Sequence, residues 1–194
     1  MNEEIKDEEQ KLSFGDYLPS AAIVGAIFGL VSFIVGLFFG YQQINAEPTG
    51  SFFSPSMLSG FVICLFTAFA GLVAVWHFTK EVTPFMKLGQ GAVLGFLTGA
   101  IITILSSVLS ELWIMLVDPE YMDKIIDSTI ANMEMMEMPE SQKDAMIEGV
   151  TESMGEGQSL LRQLYIGIPI SGLLNLVTAL IGVKIFAKKA EESF

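Results

Sequence analysis

Four stretches of the chain, residues 18–41, 57–78, 88–117 and 164–183, carry almost no charge, and as helices each is long enough to cross a bilayer. A hydrocarbon core about 30 Å thick takes about 20 apolar residues at the helical rise. With 52% hydrophobic and only 16% charged residues, the chain is too apolar for a water-soluble domain of its length. The ionisable side chains within the four stretches are Tyr41, Cys64, His77, Glu111 and Tyr165, nearly all close to an end. The expected fold is therefore all-α: an integral membrane four-helix bundle, with an extracytoplasmic helical hairpin inserted between the third and fourth spans.

The first span reads as an uncleaved helix rather than a signal peptide. The segment before it, MNEEIKDEEQ, is acidic where a signal peptide starts positive, and the apolar run is too long. The single cysteine, Cys64, lies inside a span, so no intramolecular disulfide forms and the redox compartment cannot be read from it.

Lysines set the expected orientation. Lys6, Lys11, Lys80, Lys87, Lys184, Lys188 and Lys189 fall on one side of the four-span layout, while the loop 42–56 has no cation. The insert offers only Lys124 and Lys143, with Arg162 at its membrane edge. This asymmetry predicts that both termini lie in the cytoplasm. The layout is an acidic N-terminal segment 1–17, spans one to three in 18–117, an acidic Met-rich insert 118–158, and a fourth span with a basic tail in 159–194. Trp76 is expected at the inner interface, and Tyr41, Trp113 and Tyr165 at the outer one. The net charge of −12 is concentrated outside the bilayer, with eleven carboxylates against two lysines in 118–158, which disfavours a nucleic-acid partner.

The insert reads as two helices. In the first, Asp118 is the expected cap, Pro119 lies in the first turn and Glu120 near the positive end of the dipole. Met122, Ile125, Ile126, Thr129, Ile130, Met133 and Met136 then recur at helical spacing and make one apolar stripe, of which Met122, Ile126, Ile130, Met133 and Met136 are the candidates to dock a partner helix. Burial between the two insert helices and the membrane surface is the competing and favoured explanation of that stripe. Pro139 ends the first helix, and a weaker second one is expected over 140–154. The decapeptide NMEMMEMPES contains thioethers suited to a soft cation, but the insert has no histidine or cysteine, so neither a metal nor any other cofactor is expected.

Each span carries small residues at steps of three and four. They are Ala22, Gly25, Gly29, Ser32, Gly36 and Gly40 in the first span and Gly60, Cys64, Thr67, Gly71 and Ala74 in the second. The third has Gly91, Gly95, Gly99, Thr103, Ser106 and Ser110, and the fourth Gly167, Ser171, Asn175, Thr178 and Gly182. In lipid such stripes let backbones approach, here more as intramolecular packing than as a homodimer seam. AIVGAIFG in the first span resembles AVLGFLTG in the third, and TAFAG in the second resembles TALIG in the fourth, the pattern of a duplicated hairpin.

Three polar groups stand out. Glu111, the only carboxylate within a span, is expected to pair with Arg162 near the outer surface. Asn175, deeper and downstream of Pro169, is expected to hydrogen-bond a neighbouring helix. The sole histidine, His77, has no nucleophile or acid arranged around it in the sequence and reads as a solvated interfacial group. No phosphate-cradling, metal-spaced or nucleophile motif appears.

The Gly-rich first span, the passage WHFTKE leading into LGQGAVLGFLTGAI, and above all DPEYMDKIIDSTIANMEMMEMPESQKDAMIEG together resemble an uncharacterised family of multipass inner-membrane proteins from Bacteroidota and relatives, known as a domain of unknown function. The resemblance implies four transmembrane helices with a helical extracytoplasmic insert, and it brings no activity and no functional residues. Acidity and methionine density set this chain apart from that pattern. The expected role is that of a non-enzymatic scaffold or partner-binding component in the lipid bilayer, contacting another membrane protein or a second copy of itself. The alternative is a small transporter or channel subunit with a polar path near Glu111 and Asn175. A water-filled cavity reaching Asn175 would favour the second, and a tightly packed interior the first.

Overall fold

The computed structural model describes residues 12–51, 55–152, 154 and 160–188. Their regular elements are all α-helices: α1 (Phe14–Ile44), α2 (Pro55–Ala68), α3 (Ala70–Glu81), α4 (Leu88–Leu116), α5 (Tyr121–Glu134), α6 (Glu140–Thr151) and α7 (Leu160–Phe186). Four helical stretches are long and apolar enough to cross a membrane: α1, α2 with α3 from Gly60 to Glu81, α4, and α7. They form a bundle, and α5 with α6 makes the expected hairpin between the third and fourth spans. The acidic start of the chain, the GEG turn and the last lysine of the tail lie outside the described residues.

The bundle is built inside out relative to a soluble one. On α1 the large apolar side chains Ile23, Ile27, Leu30, Ile34 and Phe38 are exposed along one face, while the buried face holds Ser20, Ala21, Val24, Gly25, Gly29 and Ser32. Exposed Ile and Leu at helical spacing suit lipid, and small residues inside let helix axes close up. Large buried side chains, Phe78, Leu94 and Val75 among them, concentrate towards the end where the termini lie. There Tyr17 stacks on Phe78 with ring centroids 5.5 Å apart.

The span limits differ from the sequence expectation at several ends. The first helix begins at Phe14, where the Asp16 carboxylate accepts hydrogen bonds from the Ser13 N–H at 2.7 Å and its hydroxyl at 3.0 Å. It continues to Ile44; its 31 residues rise about 46 Å, so it outruns the hydrocarbon and its last turn is free to meet the insert. The fourth span runs over Leu160–Phe186, longer than 164–183 at both ends.

The second span is not one helix, a feature that hydropathy gave no reason to expect. It is interrupted at Phe69 between α2 and α3. The Phe69 N–H reaches back only three residues, to the Phe66 carbonyl at 3.2 Å. Two residues on, the Gly71 N–H is taken by the Asn175 side-chain carbonyl of α7 at 2.7 Å. A side chain inserted into a helix's own ladder is a recognised cause of such a break.

The small-residue stripes find definite partners. A Cβ at Gly25 or Gly29 would press on α4, against Ile101 and the Thr98 carbonyl in the first case and against Leu105 and the Ile102 carbonyl in the second. The α4 glycines turn the other way: Gly91, Gly95 and Gly99 lie against Val183, Ala179, Asn175 and Ser171 of α7. Gly71 of α3 faces Asn175 and Thr178 of α7, and Gly182 of α7 faces Leu72 and Val75 of α3. Gly167 meets the Thr103 methyl. Gly36 has only the tip of Ile63 nearby, at 3.8 Å. Gly60 is a correction to the expected packing stripe: it is exposed, and an added Cβ there would meet nothing within 4 Å, because the first half of the second span is only loosely covered.

Candidate functional site: a capped crevice between the spans

At the end of the bundle where α5 sits, the spans separate enough to leave a crevice of about 610 Å³. The first span contributes Ser32, Phe33, Gly36 and Leu37, and α2 contributes Ile63. On α4 the lining residues are Ser106, Ser110, Trp113 and Ile114, and on α7 Arg162, Gln163 and Ile166. Tyr121 and Met122 of α5 close it from above. Its depth follows from helix geometry: Ser106 to Ile114 spans about 12 Å along α4, less than half the thickness of a bilayer core.

The roof is fastened by side chains. The Tyr41 hydroxyl donates to Asp118 Oδ2 at 2.8 Å and accepts from Trp113 Nε1 at 3.2 Å, so α1, α4 and the start of the insert meet on one phenol. Asp118 also receives Lys124 Nζ at 2.9 Å, and Glu120 approaches the same ammonium at 3.4 Å. Two residues further along α1, the Gln43 side-chain amide donates to Thr129 Oγ1 at 2.8 Å and Ser128 Oγ at 3.2 Å. Asn132 secures the loop after α1: its Oδ1 accepts the Thr49 and Gly50 N–H groups, both at 3.1 Å, and its Nδ2 donates to the Ser51 carbonyl at 3.0 Å. Gly50 adopts φ +66, the left-handed region, and a side chain there would also run into the Met135 carbonyl. Finally, Lys143 of α6 donates to the Glu134 carbonyl at 2.9 Å, placing a cation at the negative end of α5.

Electrostatics follow this wiring. Hydrogen bonds from Lys124 and then from Tyr41 hold the Asp118 carboxyl below the usual carboxylate range, and the Asp118 hydrogen bond raises Lys124 above its ordinary value. The Tyr121 phenol is pushed up chiefly by burial, then by the nearby Tyr41 and Asp118.

Asp118 keeps part of its expected capping role, since its carboxylate takes a hydrogen bond from the Glu120 backbone N–H, and adds a second role. The regular helix starts at Tyr121 with Glu120, which makes no side-chain cap bond, at its N-cap position, and the same Asp118 carboxylate also accepts from Tyr41 and Lys124. The face of α5 that docks on the bundle is formed by Ile125 and Thr129 of the expected stripe together with Tyr121, Ser128 and Asn132, which the apolar periodicity did not single out. Of the proposed docking stripe, Met122 turns into the crevice, and Ile126, Ile130 and Met133 are half-buried on a helix packed against α6. Met136 lies beyond the helix, which stops at Glu134 with Met135 as its C-cap.

The expected Glu111–Arg162 ion pair does not form. Among the described residues the ion pairs are those of Lys124, and Arg162 lines the crevice while Glu111 does not. Asn175 is elsewhere again: it is buried, its Oδ1 accepting from Gly71 and its Nδ2 donating to the Ser171 carbonyl at 2.9 Å, and the crevice does not reach it. His77 also differs from expectation, since its Nδ1 lies 3.0 Å from the hydroxyl of the buried Ser20. Beside it, Lys80 sits over the Trp76 ring at 4.4 Å, so this end carries its own aromatic and cationic girdle. Among the described residues no three His, Cys, Asp or Glu side chains gather as metal ligands would.

The family model described as Protein of unknown function (DUF4199) matches residues 20–184, which takes in all four spans and the insert. No curated protein and no solved structure matches the chain.

Proposed function

For a chain that belongs to this family of unknown function, we propose a role as a non-enzymatic, partner-binding component of the bacterial inner membrane, with both termini cytoplasmic and the acidic insert outside. The observation that carries this reading is the state of Asn175, a strongly polar side chain buried deep in the bundle. Both halves of its amide are engaged with backbone, and the crevice ends short of it. A path for solutes needs polar groups open to water at that depth, whereas a closed interior under a fastened cap suits binding. The orientation is supported by Lys80, Lys87, Lys184 and Lys188 at the end opposite the insert. The cap offers a partner its Met-rich end, where Met135 is 61% exposed beside the half-buried Met133 and Met136. The partner is another membrane protein or a second copy of the chain.

The alternative, a small transporter or channel subunit with a path near Glu111 and Asn175, has less support because the two residues share no cavity. Photo-crosslinkers at Met133 and Met135 in native membranes are expected to give discrete adducts that a lipid-facing position such as Ile181 does not. Solute-dependent flux through the purified protein in sealed vesicles, with no insert-specific adduct, would replace this reading by the transport one.

A further inference from the structure

We propose that the tip of the insert, around Met135, docks a cationic partner segment, a helix with one apolar anchor among lysines or arginines, and does not pair with a second copy of this chain. The inference rests on the partner-binding reading above and narrows it to one kind of partner.

The tip is held ready for contact. Anchors climb α5 from Tyr121 beside Tyr41, through Ser128 and Thr129 on Gln43, to Asn132 on residues 49–51, which carries residues 133–139 past the end of α1. The backbone there is fixed from two sides: the Met135 carbonyl lies against Gly50, and Lys143 of α6 donates to the Glu134 carbonyl at 2.9 Å. Met135 is the large apolar side chain that the described part of the insert leaves exposed, while Met133, Met136 and Met138 are half-buried. An apolar group on a preset backbone loses little freedom when a partner arrives, and a thioether adapts its shape to what it meets.

Charge selects the occupant. The exposed carboxylates of Glu134, Glu137 and Glu140 flank Met135 in sequence, and Asp144 and Glu148 follow Glu140 along α6 at steps of four. Such steps set carboxylates on one helix face, about 6 Å apart along the axis. The two lysines of the insert are engaged within the fold, Lys124 with Asp118 and Glu120, and Lys143 with the Glu134 carbonyl. A second copy would bring the same row of negative charge to the contact, and like charges facing each other disfavour it. An anionic headgroup is repelled for the same reason. A helix with cations at the same four-residue step matches the row, and its apolar anchor covers Met135.

The probe is an alanine-based helical peptide with one leucine and lysines at every fourth position, titrated against the full chain in phosphatidylcholine nanodiscs. Its counterpart has glutamates in place of the lysines. The lysine peptide is expected to bind and the glutamate peptide to be rejected. Glu137→Gln, Glu140→Gln and Asp144→Asn together are expected to weaken the lysine peptide about ten-fold, the combined effect of three exposed charge pairs. Met135→Ser is expected to weaken it about five-fold through loss of the apolar anchor, and this part should persist at high salt, where the charge part fades. Glu81→Gln, which removes a carboxylate at the opposite end of the bundle, is expected to change nothing. All these side chains are exposed, so the variants keep the contacts that seat the insert.

No binding of the lysine peptide, or binding indifferent to either the triple substitution or Met135→Ser, overturns the proposal. So do disulfide-linked pairs of a Met135→Cys, Cys64→Ser chain in native membranes, which mark a self-contact. Discrete adducts from crosslinkers at Met133 and Met135, combined with a peptide affinity blind to the triple substitution, keep the partner reading and strike its cationic character. Absence of those adducts strikes both.

Discussion

Asn175 Oδ1 on the fourth span accepts the backbone N–H of Gly71 on the second at 2.7 Å, joining residues 104 apart in sequence. This contact explains why a span without proline at its midpoint is divided at Phe69: an N–H that would otherwise bond within the helix is claimed from outside. Asn175→Ala therefore strands a buried donor. A loss of about 1–2 kcal/mol is expected, between the usual penalty for an unsatisfied buried group and the smaller interhelical values measured in membranes. Equilibrium unfolding in mixed micelles measures it, and an Asn175→Ala variant as stable as the parent would remove Asn175 as the cause of the break.

Glycine substitutions should rank by what an added methyl meets. Gly71→Ala, Gly95→Ala and Gly99→Ala each drive a Cβ into the α7 backbone and are expected to lose several kcal/mol or fail to assemble, whereas Gly60→Ala is expected to stay within about 0.5 kcal/mol of the parent. Gly25→Ala and Gly29→Ala fall between, since part of what they meet is the side chains of Ile101 and Leu105. Thermal unfolding of the series tests the order, and a Gly60→Ala variant as damaged as Gly99→Ala would contradict it.

Docking of the insert has a pH window with two edges. Asp118 has a lowered folded pKa, so its contribution is complete above the unfolded carboxylate value, about 3.9, and fades as pH falls through the lower folded one. Lys124 is raised, so its contribution is complete below about 10.4 and fades as pH climbs through the folded value above that. Trp113 emission, read with Trp76 replaced by Phe, is expected to be flat between those limits and to change outside them. Asp118→Asn should weaken the seat throughout and erase the acid edge; an unchanged acid edge would mean that another group controls it.

Asn132 acts on a loop rather than on the bundle. Asn132→Ala removes three hydrogen bonds to residues 49–51 and is expected to speed amide exchange and proteolysis there while the unfolding midpoint of the spans moves little. A fall in the midpoint as large as that of Asn175→Ala would show the loop to be part of the cooperative core.

Glu111 and Arg162 should behave independently. With no ion pair between them, the Glu111→Ala and Arg162→Ala losses are expected to add within about 0.5 kcal/mol in a double-mutant cycle, and a coupling above 1 kcal/mol would restore the pairing.

The spans were legible because their signal is local: twenty apolar residues in a row have few other uses. The two insert helices were legible through Pro139 and the apolar period. Pairings carried across the bundle were not. AVLGFLTG and AIVGAIFG look alike, yet Gly25 and Gly29 face α4 while Gly95 and Gly99 face α7, since similar small-residue stripes fit any neighbour that presents a matching groove. Asn175 was recognisable as a polar group needing a partner, but its acceptor oxygen found a backbone donor, and backbone leaves no trace in composition. His77 and Ser20, at 3.0 Å, were each unremarkable alone. The crevice escaped notice because it is made by what α2 fails to touch, and sequence does not announce a missing contact.

The break at Phe69 has a practical consequence through Cys64. The chain's single thiol lies exposed on α2, the less tightly held half of the second span. A nitroxide attached there would sense how firmly that segment is held by the rest of the molecule, with no engineered cysteine required. Its line shape would turn an idle residue into a gauge of how closely the two halves of that span are coupled.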